Sequence, residues 1–381
     1  MKITCKQQDL SRGLSVVSHA VSSRSTLPIL SNILMATDHG RLRLSATNLE
    51  IGINCWIDAE IQEEGSTTVP AKTITDLIGS LRPGQIDLTA PDDSHVINIK
   101  SETSNGTIKG MDPSEFPLIP SAEGSETPVL LEAGQLKEMI NEVAFAAADD
   151  DSRPVLTGVH VEVTNEKLIF VAADAFRLAV RISPLPGHDQ SHDNILIPAR
   201  TLTELARILP SEGAVQMIVT PNRSQVLFHT EHIDLVSRLI EGTFPNFRQI
   251  IPKEYTTRAV VETKEFAAAV KTVTPFARDA SNITRVKLNG GDGEGVEAGA
   301  GTLTIEATAE DVGSNVSTIN AAVDGPEQQI IFNVKYLSEV LAIIGTPEVA
   351  IEITSSARPG VIKPVGPSDY TYIIMPMSNN R

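Results

Sequence analysis

The chain contains few of the residues that oxidising compartments, membranes and structural metal sites require. Only two cysteines, Cys5 and Cys55, occur among its 381 residues, and neither has a CxxC partner or a cluster of metal-ligating residues around it. We therefore expect both thiols to be buried as small hydrophobic groups. The sequence also has no signal peptide and no apolar run long enough to span a bilayer. It is predicted to be a reduced, soluble, cytosolic protein.

Catalytic signatures are missing as well. The sequence has no HExxH, nucleophile elbow or kinase motif, and the glycine-rich stretch 290–301 lacks the helix and the Lys-Ser/Thr pair that cradle phosphate, which predicts a hairpin loop. Residues 188–193 have the types of a metal site, and 149–151 is an acidic run that ends a predicted helix, where acids are poorly placed against the dipole. We expect a solvated loop and a solvated turn there, with no metal and no cofactor. A metal-dependent hydrolase that uses both stretches stays as an alternative, and it predicts turnover that chelation abolishes.

Positive charge is scarce overall, but it is unevenly distributed. The net charge is −17, which at first argues against nucleic acid as a partner. Six segments are predicted to be helical: 6–24, 69–82, 133–148, 197–209, 263–278 and 332–344. Together they carry a net charge of +5, which leaves −22 for the rest of the chain. The sequence thus predicts mildly basic helices on an acidic body.

The most informative feature is one phrase that occurs three times. VPAKTITDLIGSL at 69–81 returns as IPARTLTELARIL at 197–209 and as FNVKYLSEVLAII at 332–344. The fourth residue of each copy is basic and the eighth is a carboxylate, which gives Lys72 with Asp76, Arg200 with Glu204, and Lys335 with Glu339. The copies lie 128 and 135 residues apart, about one domain length each, so three tandem domains of one fold are expected.

Each copy has apolar residues at the spacing of an amphipathic helix, and the basic residue lies roughly 200° around the helix from the start of that stripe. The apolar positions are Ile74, Leu77, Ile78 and Leu81, then Leu202, Leu205, Ala206 and Leu209, then Leu337, Val340, Leu341 and Ile344. The repeated basic residue is therefore predicted to point away from the core. In a single copy the ordinary interpretation would be a solvated surface charge. Three copies in register raise the question of what their shared face meets.

Each third of the chain also begins with a helix and continues into short strands. The stripe of Leu10, Leu14 and Val17 recurs as Leu136, Ile140 and Val143 and as Phe266, Val270 and Val273. A strand that ends on alanine follows in each copy, and the loop after it differs in sequence. Two helices and several alternating strands per third predict an α+β fold built on antiparallel sheet. We place the domains at 1–124, 125–254 and 255–381, with polar linkers near 121–127 and 253–257.

Several phrases, taken in order, identify a family. They are STLPIL at 25–30, ATNLEI at 46–51, AADAFRL at 172–178, EGTFPNFRQIIP at 241–252 and a C-terminal YIIMPM. Together they make the whole chain resemble the bacterial DNA polymerase III beta subunit, the replicative sliding clamp. The resemblance implies a non-catalytic accessory subunit of the polymerase III holoenzyme. Two three-domain chains would join head to tail into a closed ring, with helices lining a central channel and sheets forming the outer wall.

The resemblance also implies partners and a location. Such a ring encircles double-stranded DNA without sequence specificity and is held on it by topology, so weak, salt-sensitive phosphate contacts suffice. The DNA polymerase III alpha subunit, the clamp-loader delta subunit and other proteins with a clamp-binding motif would dock a short peptide in an apolar cleft between domains 2 and 3. The expected localisation is cytoplasmic, on the nucleoid at replication forks, without a membrane partner.

Three groups of candidate site residues follow from the match. The DNA-facing residues would be Arg24, Lys72, Arg82, Arg200, Arg207 and Lys335, of which the first two match family DNA contacts and the others rest mainly on helix geometry. The peptide-binding cleft would comprise Leu156, Ala173, Ala175, Phe176, Arg177, Leu178, Pro245, Gln249, Ile250, Ala357, Pro359, Ile373, Met375, Pro376 and Met377. The dimer interface would include Ile108, on the strand that ends the first domain, and Phe276, at the end of the third domain's first helix, although Phe276 could equally belong to the core.

Some positions depart from the family pattern. Phe176 stands where many members have His, Ala175 stands where many have Gly, and four residues follow the MPM motif, which leaves the peptide preference open. Met375 and Met377 could instead end a core strand. The remaining alternative is a monomeric scaffold or ligand-binding protein of three repeats without any link to DNA. The repeated basic helix face slightly favours the clamp over it.

Overall fold

The computed structural model of the chain describes residues 1–22, 27–91, 95–120, 128–150, 152–164, 166–186, 192–290 and 300–378. These residues contain six α-helices, two in each predicted third of the chain. They are α1 (Gln7–Ser18), α2 (Ala71–Ser80), α3 (Ala133–Val143), α4 (Ala199–Ile208), α5 (Thr263–Asp279) and α6 (Val334–Ile343). The three copies of the repeated phrase supply α2, α4 and α6, as their periodicity predicts.

The strands of the described residues are short and pair antiparallel throughout. In the first third they are β1 (Lys2–Lys6), β2 (Asn32–Asp38), β3 (Arg41–Thr47), β4 (Ile51–Asp58), β5 (Glu60–Glu63), β6 (Ser66–Pro70), β7 (Gln85–Thr89), β8 (Val96–Lys100) and β9 (Asn105–Lys109). In the second they are β10 (Val129–Glu132), β11 (Gly158–Thr164), β12 (Lys167–Ala173), β13 (Arg177–Pro184), β14 (His192–Pro198), β15 (Ala214–Val219), β16 (Gln225–His229) and β17 (Ile233–Arg238). In the last they are β18 (Thr257–Glu262), β19 (Ile283–Gly290), β20 (Ala300–Ala309), β21 (Gly313–Asp324), β22 (Gln328–Asn333), β23 (Glu348–Ile353), β24 (Gly360–Pro364) and β25 (Tyr370–Ile374).

One compact unit consists of Met1–Lys137 and Glu204–Leu239. It contains a five-stranded sheet in the order β5-β1-β7-β8-β9 and an eight-stranded sheet in the order β10-β15-β16-β17-β4-β3-β2-β6. Helices α1 and α2 pack against each other, and the predicted stripe of α1 is fully buried. In the larger sheet Leu235 of β17 lies opposite Ile53 of β4. A strand of the second sequence repeat therefore extends the sheet of the first.

The other compact unit consists of Glu138–Thr203 and Ile240–Arg381. Its described residues form one twelve-stranded sheet in the order β14-β11-β12-β13-β25-β24-β23-β18-β21-β20-β19-β22. Helices α5 and α6 pack together, and their apolar stripes are buried. Ile373 of β25 lies opposite Leu178 of β13, so the last strand of the third repeat pairs with the second repeat in the same way.

Some boundaries differ from the sequence prediction. Each repeated phrase begins in a strand, because β6 and β14 end on Pro70 and Pro198 and the helix starts at the next residue. The predicted helix 133–148 is too long. The amide of Ala148 donates to the carbonyl of Leu156 at 2.9 Å, so it is not available for a helical bond, and α3 ends at Val143. The acidic run at 149–151 therefore does not end the helix, and its last residue lies outside the described ones.

The structure also bears on the predictions for the two cysteines and for the glycine-rich stretch. Both cysteines are free and buried, and burial raises the pKa of Cys5 to about 12 and that of Cys55 to about 11, which suits inert core thiols. β19 and β20 pair as a hairpin as far as Gly290 opposite Gly301, as expected for the glycine-rich stretch. Residues 291–299 and most of the histidine loop at 188–193 lie outside the described residues.

Candidate functional sites

The repeated basic residue occupies the same place in all three copies. Lys72, Arg200 and Lys335 are each the second residue of their helix, and each is exposed. Residues on the opposite face of the same helices, such as Ile74, Leu202 and Leu337, are fully buried. The prediction that this basic position points away from the core is confirmed.

The repeated carboxylate links elements that are distant in sequence. Oε2 of Glu204, on α4, lies 2.6 Å from Nδ1 of His19, and its Oε1 accepts a hydrogen bond from Arg207 at 2.8 Å. Glu339, on α6, accepts a hydrogen bond from Arg177 and lies 3.7 Å from Nζ of Lys335. In both copies the eighth residue of the phrase therefore contacts the preceding sequence repeat.

Two of the other three predicted DNA-facing residues are among the described residues. Arg82 is exposed just after α2, and Arg207 is exposed on α4 despite its bond to Glu204. Arg24 lies outside the described residues. A basic stripe on α5 was not among the predicted residues. Lys264, Lys271 and Arg278 are exposed there at intervals of seven residues, which places them on one helix face. That spacing could have been read from the sequence.

The fifteen predicted cleft residues all fall in the second compact unit. Four of them, Leu156, Ala173, Leu178 and Ile373, belong to one buried apolar cluster that also contains Phe244 and Phe247. These residues come from β12, β13 and β25 and from the turns around them. They form the base of the candidate cleft, and the pairing of β13 with β25 brings them together.

An exposed turn between β12 and β13 rises from this base. Oδ1 of Asp174 accepts hydrogen bonds from the amides of Phe176 and Arg177 at 2.9 and 3.0 Å, and Ala175 adopts a left-handed conformation with φ 78°. The side chain of Phe176 is consequently presented to solvent, with 61% of its surface exposed. Its carbonyl accepts a hydrogen bond from the amide of Met375 at 2.8 Å, and Met375 is 38% exposed. Two large apolar side chains thus stand side by side at the surface.

Arg177 is buried beneath this turn. Its Nε donates to Asp174 at 2.9 Å, its Nη2 donates to the carbonyl of Phe145 at 2.8 Å, and its Nη1 donates to Glu339. The guanidinium also lies over the rings of Phe145 and Tyr336. Burial alone would lower the pKa of Arg177, but its polar and acidic neighbours raise it, so the cation is permanent. With every donor group engaged inside the protein, Arg177 holds the turn in place.

A second exposed segment, with Pro245, Gln249 and Ile250, follows β17, and all three residues are exposed. Arg248, within this segment, binds the buried Glu162 of β11 through both terminal nitrogens at 3.0 and 2.5 Å. His160 contacts the same carboxylate at 2.9 Å and stacks on Phe244. Burial opposes ionisation of Glu162, yet these hydrogen bonds keep its pKa below the usual value. The segment is therefore anchored by hydrogen bonds from Arg248 to a buried carboxylate.

The C-terminal side of the cleft borders a cavity of about 500 Å³. Ala357, Pro376 and Met377 line it, and Pro359 lies half-buried nearby in sequence. The amide of Met377 donates to the carbonyl of Ile331 at 2.9 Å, so the residues after β25 run along β22. Met375 and Met377 thus follow the strand instead of ending it in the core.

The two predicted interface residues differ in exposure. Ile108 lies on β9, the last strand of the five-stranded sheet, but its side chain is buried inside its own subunit opposite Ile97. Phe276 is half-buried three residues before the end of α5. Among the described residues no group of three His, Cys, Asp or Glu side chains is placed to hold a metal ion. Within the same residues no helix is long and apolar enough to cross a membrane.

Comparison with known proteins gives the family. The family models for the N-terminal, central and C-terminal domains of the DNA polymerase III beta subunit match residues 1–120, 130–246 and 248–378. The beta sliding clamp of Synechocystis sp. is 34% identical over 396 aligned residues, which cover 99% of both chains. The chain belongs to the DNA polymerase III beta subunit family. The family resemblance in the sequence is thereby confirmed.

Solved structures of sliding clamps agree with this fold. The DNA polymerase sliding clamp from Bacillus subtilis superposes with a TM-score of 0.90 at 26% identity, covering 100% of this chain and 99% of that one. The beta subunit from Streptococcus pyogenes gives 0.91 at 26% identity, with both chains fully covered. As a beta sliding clamp, the chain is a non-catalytic DNA polymerase processivity factor that associates with DNA and polymerase. This family membership removes the hydrolase and scaffold alternatives.

Proposed function

We propose that two copies of this chain close head to tail into a ring around double-stranded DNA. The proposal is based on a pairing between strands of successive repeats. This pairing occurs twice within the chain, and the two strands that would make it a third time are not paired with each other. β17 pairs with β4, and β25 pairs with β13. In both cases the final strand of one repeat pairs with a strand of the preceding repeat, the one that follows the strand predicted to end on alanine. By the same correspondence β9 is the final strand of the first repeat, and β21 is the third repeat's equivalent of β4 and β13.

Both of these strands have an open edge among the described residues. β9 is the terminal strand of its sheet. β21 pairs with β18 only through Ala322, Val323 and Asp324, so its first nine residues are unpaired on that side. Two valines are exposed here, Val312 just before β21 and Val316 within its unpaired part. Open edges invite strand addition, and pairing β9 of each copy with β21 of the other closes a two-chain ring.

In this ring the repeated basic residues face the DNA. A cation in the first turn of a helix opposes the helix dipole, so helix stability does not account for a basic residue at the same position three times. The same helix end attracts anions through its free amides, and Lys72, Arg200 and Lys335 add charge there. The proposed DNA-facing set is Arg24, Lys72, Arg82, Arg200, Arg207 and Lys335. Such contacts to phosphate are independent of sequence, which suits a ring that slides.

The apolar cleft is proposed as the docking site for partner peptides. Phe176, Ile250 and Met375 are exposed above a base of buried aliphatic residues, and large exposed apolar groups of this kind mark interaction sites. Methionine and proline at its C-terminal side give an adaptable apolar surface. The partners would be the polymerase III alpha subunit, the clamp-loader delta subunit and other proteins with a clamp-binding motif. The domain limits 1–124, 125–254 and 255–381 and a cytoplasmic location at replication forks belong to the same proposal.

Retention on circular DNA tests the ring directly. The chain is loaded with a competent clamp loader onto nicked circular plasmid, the plasmid is then cut once, and release is followed by gel filtration. A topological ring stays on the circle and escapes from the linear ends. Retention that is indifferent to linearisation, or no retention with a competent loader, would overturn the proposal.

A further inference from the structure

The cavity beside the cleft has a second wall that the docking proposal does not use. Ala357, Pro376 and Met377 belong to the cleft, but Arg285 of β19 and Gln329 of β22 line the opposite side. Two hydroxyl groups, from Ser356 and Ser378, complete the polar part of the lining. The cavity is therefore continuous with the cleft at one side and polar and cationic at the other.

Among the described residues, the backbone of β22 beside this wall lies at the edge of its sheet. β22 is the terminal strand of its sheet, and the carbonyl of Ile331 accepts the amide of Met377 on its outer edge. Backbone groups of residues two apart point to the same side of a strand, so the N–H and C=O of Gln329 face that edge too. An extended peptide that leaves the cleft past Met377 meets this edge next.

The charge of the wall is positive, although the chain as a whole carries −17. Nη1 of Arg285 lies 2.6 Å from Oε1 of Glu306, and Nζ of Lys287 lies 3.1 Å from Oε2 of the same carboxylate. Two cations therefore share one anion, which leaves a net charge of +1. Burial opposes ionisation of Glu306, but Lys287 and Arg285 lower its pKa, so this balance holds at neutral pH. The side chain of Arg285 is about one-third exposed, so its guanidinium can donate a hydrogen bond to a further carboxylate.

We infer that this cavity is a subsite for an acidic residue of the docked peptide, with Arg285 binding the carboxylate next to the peptide's apolar anchor. The inference rests on the proposed cleft and adds a charge preference to it. A partly exposed ion pair of this kind strengthens binding about two- to fivefold. The carboxylate can come from an aspartate or glutamate side chain or from the C-terminus of the peptide, and the two sources are separable.

The probe is a fluorescein-labelled peptide with a Leu-Leu-Phe core and one variable residue at either end, aspartate or asparagine, with an amidated C-terminus. Fluorescence anisotropy with the full-length dimer should show a two- to fivefold preference for aspartate at one end. Arg285→Gln should abolish the preference. Glu306→Gln should increase it, because Arg285 is then released from its internal partner. Lys287→Gln should weaken it, because it takes the net charge of the cluster from +1 to 0. Lys363→Gln is the matched control, since it removes one positive charge that pairs with Glu352 outside the cavity lining, and it should keep the preference.

The outcomes separate this inference from the cleft proposal. A second set of the same peptides has a free C-terminal carboxylate. Equal binding of the aspartate and asparagine peptides with no gain from the free C-terminus, or a preference that survives Arg285→Gln, would overturn the subsite and leave the cleft intact. If only peptides with a free C-terminal carboxylate show the Arg285-dependent gain, the same subsite binds the chain end. Failure of every version to bind would count against the cleft and, with it, the subsite. Thermal unfolding of each variant establishes that the fold is retained.

Discussion

The contributions of Glu162 and Glu142 to the stability of the second compact unit should change with pH in opposite directions. Replacing each residue with glutamine tests this. Glu162 accepts two hydrogen bonds from Arg248 and one contact from His160, and its pKa is lowered. Its contribution to stability is therefore present above the ordinary value of 4.5 and is lost as the pH falls through the lowered pKa. Glu162→Gln should destabilise the segment 243–250 at pH 7, and its effect should diminish as the pH falls through the lowered pKa of Glu162.

The size of the effect follows from the contacts. A hydrogen bond to a charged group contributes about 1.5–3 kcal/mol, and glutamine keeps one acceptor but turns an NH₂ group towards the donors of Arg248. Arg248 is half-exposed and recovers water, whereas Glu162 is buried. We expect a net loss of about 2 kcal/mol, which corresponds to about a 30-fold larger equilibrium constant for opening of the segment.

Native-state hydrogen exchange is the suitable assay, because a chain of two compact units does not give one two-state transition. Amides of β11 and of Phe247–Gln249 should exchange about 30-fold faster in Glu162→Gln at pH 7, and the difference should shrink as the pH falls. The matched variant is Glu142→Gln. Burial raises the pKa of Glu142 to about 7 against the opposing effect of Arg181, so its contribution is present below 4.5 and is lost as the pH rises through about 7.

Glu142→Gln should therefore cost nothing at pH 8 and should remove part of the loss of stability between pH 5 and 8. A destabilisation by Glu162→Gln that is independent of pH would refute the assignment of its effect to the ionised carboxylate. Equal destabilisation by both variants at pH 8 would refute the contrast between the two sites.

Three further predictions concern the proposed function. Met375→Ser should weaken peptide binding about tenfold or more and abolish polymerase stimulation, because it removes an exposed apolar side chain of the proposed cleft. Sedimentation should still show a dimer. Full stimulation by this variant would contradict the cleft proposal. The double charge reversal Lys72→Glu with Lys335→Glu should slow loading and reduce the salt dependence of DNA binding without lowering the melting temperature, and unchanged loading would remove the channel assignment. Val316→Asp should yield monomers in sedimentation, because it places a charge on the open edge of β21, whereas the control Leu130→Asp, an equally exposed residue on β10, should remain dimeric.

The helices could be predicted from the sequence because their signal is local. A stripe of apolar residues at helical spacing determines which face is buried, and the exposed positions of Lys72 and Lys335 follow from it without any tertiary information. The family phrases predict Leu178 and Ile373 as parts of the proposed cleft, and the two residues lie opposite each other in β13 and β25. Helix ends depend on contacts that are distant in sequence: α3 ends at Val143, before the predicted end at residue 148, and the amide of Ala148 donates instead to the carbonyl of Leu156.

Long-range pairings could not be predicted in this way. β4 and β17 are separated by about 180 residues, and nothing local in either strand specifies the other. The internal contacts of Arg177 could not be predicted either. The family match places Arg177 in the proposed cleft, and its guanidinium is buried among Asp174, Glu339 and the carbonyl of Phe145. Arg285 was missed because its neighbourhood forms only when β19, β20 and β22 pair.

The repeated carboxylate extends the argument from one chain to two. Glu204 and Glu339 each contact the sequence repeat that precedes their own, through His19 and Arg177. Asp76 holds the same place on α2, in the first of the three repeats, and is exposed. In the proposed ring it faces the third repeat of the other copy, so Asp76→Asn should weaken dimerisation about two- to fivefold. Sedimentation across a dilution series measures this, with Glu63→Gln as an exposed control on β5. An unchanged dimer constant for Asp76→Asn would show that the repeated carboxylate does not join neighbouring repeats at the subunit boundary.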